Sequence, residues 1–68
     1  MIRNELGERI KILRAKNNIS QEGFALLIGM NRTYLASVER GRRNISLDNL
    51  IKIANGFDIT LEELFRGI

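Results

Sequence analysis

The sequence contains no cysteine, no histidine and no proline. The first two absences exclude disulfides, zinc sites and the usual metal ligands. They also remove the commonest general acid–base group and the thiol nucleophile, and no serine or lysine has a visible base partner. No apolar run approaches a membrane span, and the N-terminal residues lack a signal-peptide core. We therefore expect a cytoplasmic protein that is not an enzyme, requires no cofactor and does not contact membranes.

The chain is short. Its 68 residues are enough for one domain, which we place over residues 1–68. A domain of this size buries only about 60% of the surface of its unfolded chain, so it is marginally stable alone. Association with a second copy would add stability by mass action.

The charge is distributed unevenly along the chain. The net charge is +3, and the excess of basic side chains lies in residues 1–47. Residues 48–68 carry two basic and four acidic side chains. This polarity suits a module that turns one basic face toward a polyanion. A mixed, solvated surface explains the charge alone equally well.

Helical periodicity of apolar residues dominates the sequence. It predicts five helices, near residues 4–17, 21–28, 32–40, 47–57 and 61–66. Residues with N-cap side chains precede four of them: Ser20, Asn31, Ser46 and Thr60. Thr60 and Glu63 have the spacing of a capping box. Left-handed helix ends are expected at Gly29, at Gly41 and within Asn17–Asn18, whereas the fourth helix could end at Gly56 or Asp58. The fold class is therefore all-α, a compact five-helix bundle.

Residues 21–39 have the pattern of a helix-turn-helix. Ala25 is small enough for two helices to approach closely, and Gly29 permits the positive φ that the turn needs. On a helical wheel of the third helix, Leu35 and Val38 define the buried side. The opposite side presents short or polar side chains bordered by arginine: Arg32, Thr33, Ala36, Ser37 and Arg40. Such a face fits the major groove of DNA. An ordinary solvated face is the alternative, and the preceding helix and turn favour the first interpretation.

A loop rich in arginine follows the third helix. It places Arg40, Arg42 and Arg43 within four residues. These like charges repel one another unless an anion neutralises them, so we expect contacts to phosphates or bases. The alternative is a surface loop that only adds solubility.

With these features, the sequence resembles the Xre/Cro-type helix-turn-helix family, whose DNA-binding domain is lambda-repressor-like. The resemblance extends from Leu6 to Phe65 and rests on several separated motifs. They are Gly7–Ile10, Leu13–Arg14, Ser20–Glu22, Ala25, Gly29, Leu35, Val38–Gly41, Ser46–Leu47, Leu50, Ile53–Ala54 and Leu61–Leu64. Two positions depart from the family pattern. Gly23 replaces the usual acidic residue of a capping box, and Gly56 replaces the usual alanine.

Within that family, Asn31–Leu35 and Glu39–Leu47 are similar to the controller proteins of restriction–modification systems. The resemblance implies a dimer that binds near-palindromic operators upstream of its own gene and of the endonuclease gene. It also implies that bases are read by Arg32, Thr33 and Arg43, that the DNA backbone is held by Gln21, Tyr34, Arg40 and Asn44, and that Arg14 pairs with Glu39. From their positions we add Ser37 to the base readers and Arg42 to the backbone contacts.

The dimer is also expected from apolar residues that so small a bundle cannot all cover. We predict an interface in the last third of the chain, formed by Ile51, Phe57, Leu64, Phe65 and Ile68. Phe65 could instead close the core of the monomer.

Other functions stay open at this point. A phage-type repressor shares most of these residues, and an antitoxin-like module would have a protein as its main partner. The chain lacks the added segment such modules use, and it lacks the exposed aromatics of single-stranded RNA binders. The expected partners are double-stranded DNA and a second copy, with RNA polymerase as a further candidate. No small-molecule effector is expected in a chain of this length.

Overall fold

The computed structural model describes residues 2–68 and contains five helices but no strand within that range. They are α1 (Ile2–Lys16), α2 (Gln21–Ile28), α3 (Arg32–Glu39), α4 (Leu47–Gly56) and α5 (Leu61–Leu64). The predicted all-α bundle is confirmed. The boundaries differ mainly at its two ends, since α1 begins at Ile2 and α5 closes at Leu64.

Side-chain caps begin four of the helices. Ser20, Asn31, Ser46 and Thr60 each accept a hydrogen bond from the backbone N–H three residues later, at 2.9–3.2 Å. These bonds satisfy N–H groups that have no partner within the helix. Thr60 and Glu63 form the complete capping box. The backbone N–H of Thr60 donates to the Glu63 carboxylate and thereby lowers the pKa of that group.

Left-handed residues end the helices at the expected places. Gly29 has φ 67°, Asn18 has φ 54° and Gly41 has φ 73°. At the end of α4, Gly56 is still helical and Asp58 is left-handed with φ 57°, which settles the predicted ambiguity. The chain therefore turns sharply after each of its first four helices.

The core draws on all five helices. α1 packs against α3 and α5, while α2 packs against α3 and α4. The largest fully buried side chains are Ile10, Phe24, Leu35, Ile53 and Leu64. The rings of Phe24 and Phe57 stack with their centroids 4.2 Å apart and their planes 13° from parallel.

The burial of two residues corrects the predicted dimer interface. Leu64 is completely buried and Phe57 is 8% exposed, so both belong to the core of a single chain. α5 folds back onto α1 and α4, and this closure covers more apolar surface than the sequence suggested. Phe65 is half-buried against the same core, whereas Ile51 and Ile68 remain exposed.

Gly56 allows α4 to lie directly against α2. A Cβ atom at this position would overlap Ile28 Cγ2 and would approach Phe24 Cε1 to 2.8 Å. The glycine that departs from the family pattern therefore permits a closer contact between these helices than alanine would.

We expect Gly56→Ala to destabilise the fold. The added methyl group would overpack the α2–α4 contact at a cost of about 1–3 kcal/mol. The gain in helix propensity returns at most about 1 kcal/mol. Melting temperatures, followed by circular dichroism, would measure the difference.

Gly23→Ala is the matched control, because it gains the same propensity. Its new Cβ would meet side-chain atoms at longer distances, with Ser20 Oγ at 3.0 Å and Ile19 Cγ1 at 3.4 Å. The close-contact argument requires Gly56→Ala to melt below Gly23→Ala, and the reverse order would contradict it.

Candidate nucleic-acid interface

The segment from α2 to α3 forms a tight helix-turn-helix. Gly29 turns the chain in a left-handed conformation, and the N–H of Met30 donates to the carbonyl of Ala25 at 2.9 Å. Asn31 then caps α3. Ala25 is buried between the packed helices, where its small side chain allows their close approach.

The outer face of α3 is open to solvent. Leu35 and Val38 point into the core, as the wheel predicted, whereas Arg32, Thr33 and Arg40 are exposed. Ala36 and Ser37 are half-buried between them. A concavity of about 340 Å³ runs along this face, and its lining is Gln21, Arg32, Thr33, Ala36 and Arg40. The start of α2 and the outer face of α3 therefore border one shallow groove.

The arginine loop continues this surface. Arg42, Arg43 and Asn44 are exposed, and Ile45 anchors the loop by packing against the core. Gly41 lies so close to Asn4 of α1 that a Cβ atom would overlap its side chain. The loop is thus attached to the bundle at both ends while its cations face outward.

An aromatic ring holds one of these cations. The guanidinium carbon of Arg43 lies 4.9 Å from the centroid of the Tyr34 ring, within the range of a cation–π interaction. The hydroxyl of Tyr34 accepts a hydrogen bond from Asn49 Nδ2 at 3.1 Å. Tyr34 is half-buried on the core side of α3, so its ring is a firm support.

A bidentate ion pair lies beneath the interface. Arg14 Nε donates to Glu39 Oε2 at 2.7 Å, and Arg14 Nη2 donates to Glu39 Oε1 at 2.9 Å. The side chain of Glu39 is only 2% exposed and that of Arg14 is 18% exposed. These hydrogen bonds to Glu39 raise the pKa of the guanidinium against the opposing effect of its burial.

Two further bonds extend the pair into other elements. Arg14 Nη1 donates to the carbonyl of Ile19 in the turn before α2, at 3.1 Å. Gln21 Nε2 donates to Glu39 Oε1, also at 3.1 Å. One carboxylate therefore connects α1, the start of α2 and the end of α3.

The predicted site residues separate into two regions. Those assigned to DNA lie at the start of α2, on the outer face of α3 and in the loop after it. Ile51, Phe65 and Ile68 lie on α4 and in the C-terminal turn. Within residues 2–68, no helix has the length and apolarity needed to cross a membrane.

Two polar residues with structural roles were not identified from the sequence. Asn49 supports Tyr34 from α4. Arg9 donates to the carbonyls of Glu63 and Leu64, at 2.8 and 3.2 Å, and so satisfies acceptors at the end of α5. The partners are 15 and 54–55 residues away along the chain, and no local pattern marks such pairs.

Comparison with known proteins identifies a family and several relatives. The model of the helix-turn-helix family HTH_3 matches residues 10–64. The control protein C.MunI of a Mycoplasma species is 50% identical over 68 residues, which cover 98% of this chain and 92% of that protein. The control protein C.BamHI of Bacillus amyloliquefaciens is 39% identical over 64 residues, with 93% and 79% covered.

Solved structures show the same fold. The restriction–modification controller protein C.AhdI from Aeromonas hydrophila superposes with a TM-score of 0.86 at 44% identity, covering 90% of this chain and 92% of that one. C.Esp1396I, solved as a tetramer in complex with its natural 35 base-pair operator, gives a TM-score of 0.85 at 25% identity, with 96% and 90% covered.

We expect Arg14→Ala to destabilise the fold severely, because it leaves the Glu39 carboxylate buried without its cation. The loss should approach about 3–5 kcal/mol, the usual cost of breaking a buried pair from one side. Urea titration would measure it.

Glu8→Ala provides the control, since it breaks an exposed pair with Lys11 whose side chains are 65% and 44% exposed. Exposed pairs contribute about 0.2–1 kcal/mol. If the two variants unfolded at the same urea concentration, the buried pair would not have the structural role described above.

Proposed function

The chain belongs to the helix-turn-helix family HTH_3, and we propose that it is a sequence-specific DNA-binding regulator of transcription, acting as the controller protein of a restriction–modification system. The observation that carries this proposal is the outer surface of α3. Short side chains occupy its centre, and arginines extend from its edge and from the following loop. A binding function of this kind involves no catalysis, and access to the genome supports a cytoplasmic location.

The element suited to the major groove of DNA is α3, which we call the recognition helix. A helix enters the groove only if its leading face is narrow, which Thr33, Ala36 and Ser37 allow. At the N-terminal end of that face, Arg32 is positioned to present two donors to guanine. We assign base reading to four residues: Arg32, Thr33, Ser37 and Arg43.

Contacts to the DNA backbone surround these base readers. We assign them to Gln21, Tyr34, Arg40, Arg42 and Asn44. Gln21 uses one amide proton on Glu39 and retains a second for a phosphate oxygen. Tyr34 accepts from Asn49 and thus keeps its own hydroxyl proton available for donation. Contacts of this kind set the register of a protein on the duplex without reading sequence.

A second copy of the chain completes the proposed binding unit. Ile51 and Ile68 are each 39% exposed, and Phe65 is half-buried. A two-fold dimer through this surface would present two recognition helices about 34 Å apart, one turn of duplex. C.Esp1396I, solved as a tetramer on its operator, supports an oligomer on DNA. A two-fold dimer would require a near-palindromic site. Regulation would then follow protein concentration and operator occupancy.

Substitutions should separate the two kinds of contact. We expect Arg32→Ala and Thr33→Ala to lose discrimination at particular base pairs, because a bidentate arginine–guanine pair contributes about 1–3 kcal/mol at one position. We expect Arg42→Ala to weaken binding to all DNA sequences equally. It should also reduce by about one the slope of log affinity against log salt concentration. Fluorescence anisotropy on single-base variants of the operator, at several salt concentrations, measures both.

If all three variants lost the same affinity for every DNA sequence, the assigned roles would be contradicted. A wild-type affinity that did not change with salt concentration would contradict DNA binding through arginine altogether, since phosphate contacts release counterions.

We expect Ile51→Glu to dissociate the dimer, because it places a charge within the apolar surface that two copies would share. Sedimentation equilibrium at micromolar concentration should give a monomer for this variant and a dimer for the wild type. Leu26→Glu is the control, since Leu26 is 83% exposed on α2, outside the proposed interface. A wild type that stays monomeric, or a control that dissociates while Ile51→Glu does not, would refute this interface.

A further inference from the structure

Asn49 connects α4 to the DNA-facing surface. It is half-buried in the first turn of α4, where its backbone N–H donates to the Ser46 cap at 3.2 Å. Its side-chain amide leaves that turn and donates to the hydroxyl of Tyr34 at 3.1 Å. The backbone of Asn49 therefore takes part in capping α4, while its side chain bonds to a residue of α3.

The bond to Asn49 determines what the Tyr34 hydroxyl can do. A phenol has one proton to donate and lone pairs that accept. Because the amide occupies a lone pair, the phenolic proton is directed away from Asn49 and remains available to another acceptor. The same bond holds the far end of the ring, which fixes the position of the oxygen and the direction of the ring axis.

The position of that ring matters for Arg43. The guanidinium is 4.9 Å from the ring centroid, and attraction to an aromatic face depends on the cation lying over it. Arg43 belongs to a loop segment without helical hydrogen bonds, and its side chain is exposed. The Tyr34 ring is thus the support that restrains this long side chain before DNA arrives.

We propose that Asn49 is a positioning residue for DNA recognition, which acts through the ring of Tyr34 to preorganise Arg43 for base reading. This inference rests on the proposed function, in which Arg43 reads a base. Asn49 does not touch DNA in this arrangement. Its contribution is to reduce the conformational freedom that Arg43 loses on binding, which improves affinity and specificity together.

A purely structural role for Asn49 would have a different signature. A bond that only stabilised the fold would, when lost, lower the melting temperature and weaken binding to every sequence equally. A bond that positions Arg43 affects discrimination at the one base pair that Arg43 reads. That base pair is defined experimentally as the position where Arg43→Ala loses its preference.

The test uses the full chain and duplex DNA that carries a binding site selected by the wild-type protein from a random-sequence pool. Asn49→Ala removes the amide, and Asn49→Leu keeps a side chain of similar size that can neither donate nor accept a hydrogen bond. We expect both to reduce discrimination at the Arg43 base pair by about three- to tenfold, the range of one net hydrogen bond. Discrimination at the Arg32 base pair should stay within twofold. Asn55→Ala, an exposed asparagine of the same helix, should change neither.

A double-mutant cycle checks the route through Tyr34 and Arg43. In a Tyr34→Phe or Arg43→Ala background, Asn49→Ala should cause little further loss of affinity for the preferred DNA sequence, because the chain of contacts is already broken. Additive effects in both backgrounds would overturn the inference. Two other results would also overturn it. One is an equal loss of discrimination at every base pair, in proportion to the fall in melting temperature, and the other is unchanged discrimination in both Asn49→Ala and Asn49→Leu.

The failure of this inference is distinguishable from failure of the proposed function. If Arg43→Ala shifts a base preference and the Asn49 variants do not, only the positioning role is overturned. If the wild type binds duplex DNA with no sequence preference, the proposed function is overturned, and this inference with it.

Discussion

The Arg14–Glu39 pair is the interaction on which the arrangement of the DNA-facing elements depends. From α1, the guanidinium of Arg14 bonds to the turn before α2 and to Glu39 at the end of α3. The Glu39 carboxylate also accepts a bond from Gln21. Gly7 makes this junction possible, since any Cβ there would overlap the carbonyl oxygen of Glu39. Removing one partner leaves an uncompensated charge in a core that cannot solvate it. The position of the recognition helix relative to α1 therefore depends on an electrostatic contact as much as on apolar packing.

The same pair also affects the electrostatic potential of the surface that faces DNA in the proposed complex. Residues 32–43 contain four arginines and a single carboxylate, that of Glu39. The side chain of Glu39 points inward and is neutralised by Arg14, so the only acidic group of this segment does not face the duplex. Arg40 and Arg42 stay exposed beside it. Burial of one anion thus leaves the outer surface of residues 32–43 without a negative charge, and this favours phosphate contacts over the whole segment.

The fold was largely predictable because its signals are local. A cap such as Ser46 acts three residues away, and the left-handed turn at Gly29 depends on one residue. Phe57 was misassigned because periodicity gives the apolar side of a helix but not which element covers it. The Asn49–Tyr34 bond links residues 15 apart in different helices, so it exists only once α3 and α4 have packed. The ion pair was anticipated through resemblance to a family, since spacing alone does not join residues 25 apart.

Gly56 has a consequence for the DNA that this protein could use. The contact it permits leaves no room between α2 and α4, so the helix-turn-helix and the helix that carries Ile51 form one rigid unit. In the proposed dimer, the distance and twist between the two recognition helices would then be set inside each protomer. One base pair added between half-sites rotates them by about 34° and separates them by about 3.4 Å. A rigid pair of protomers cannot follow that screw motion, so the length of the operator spacer would be selected by a glycine that never approaches the DNA.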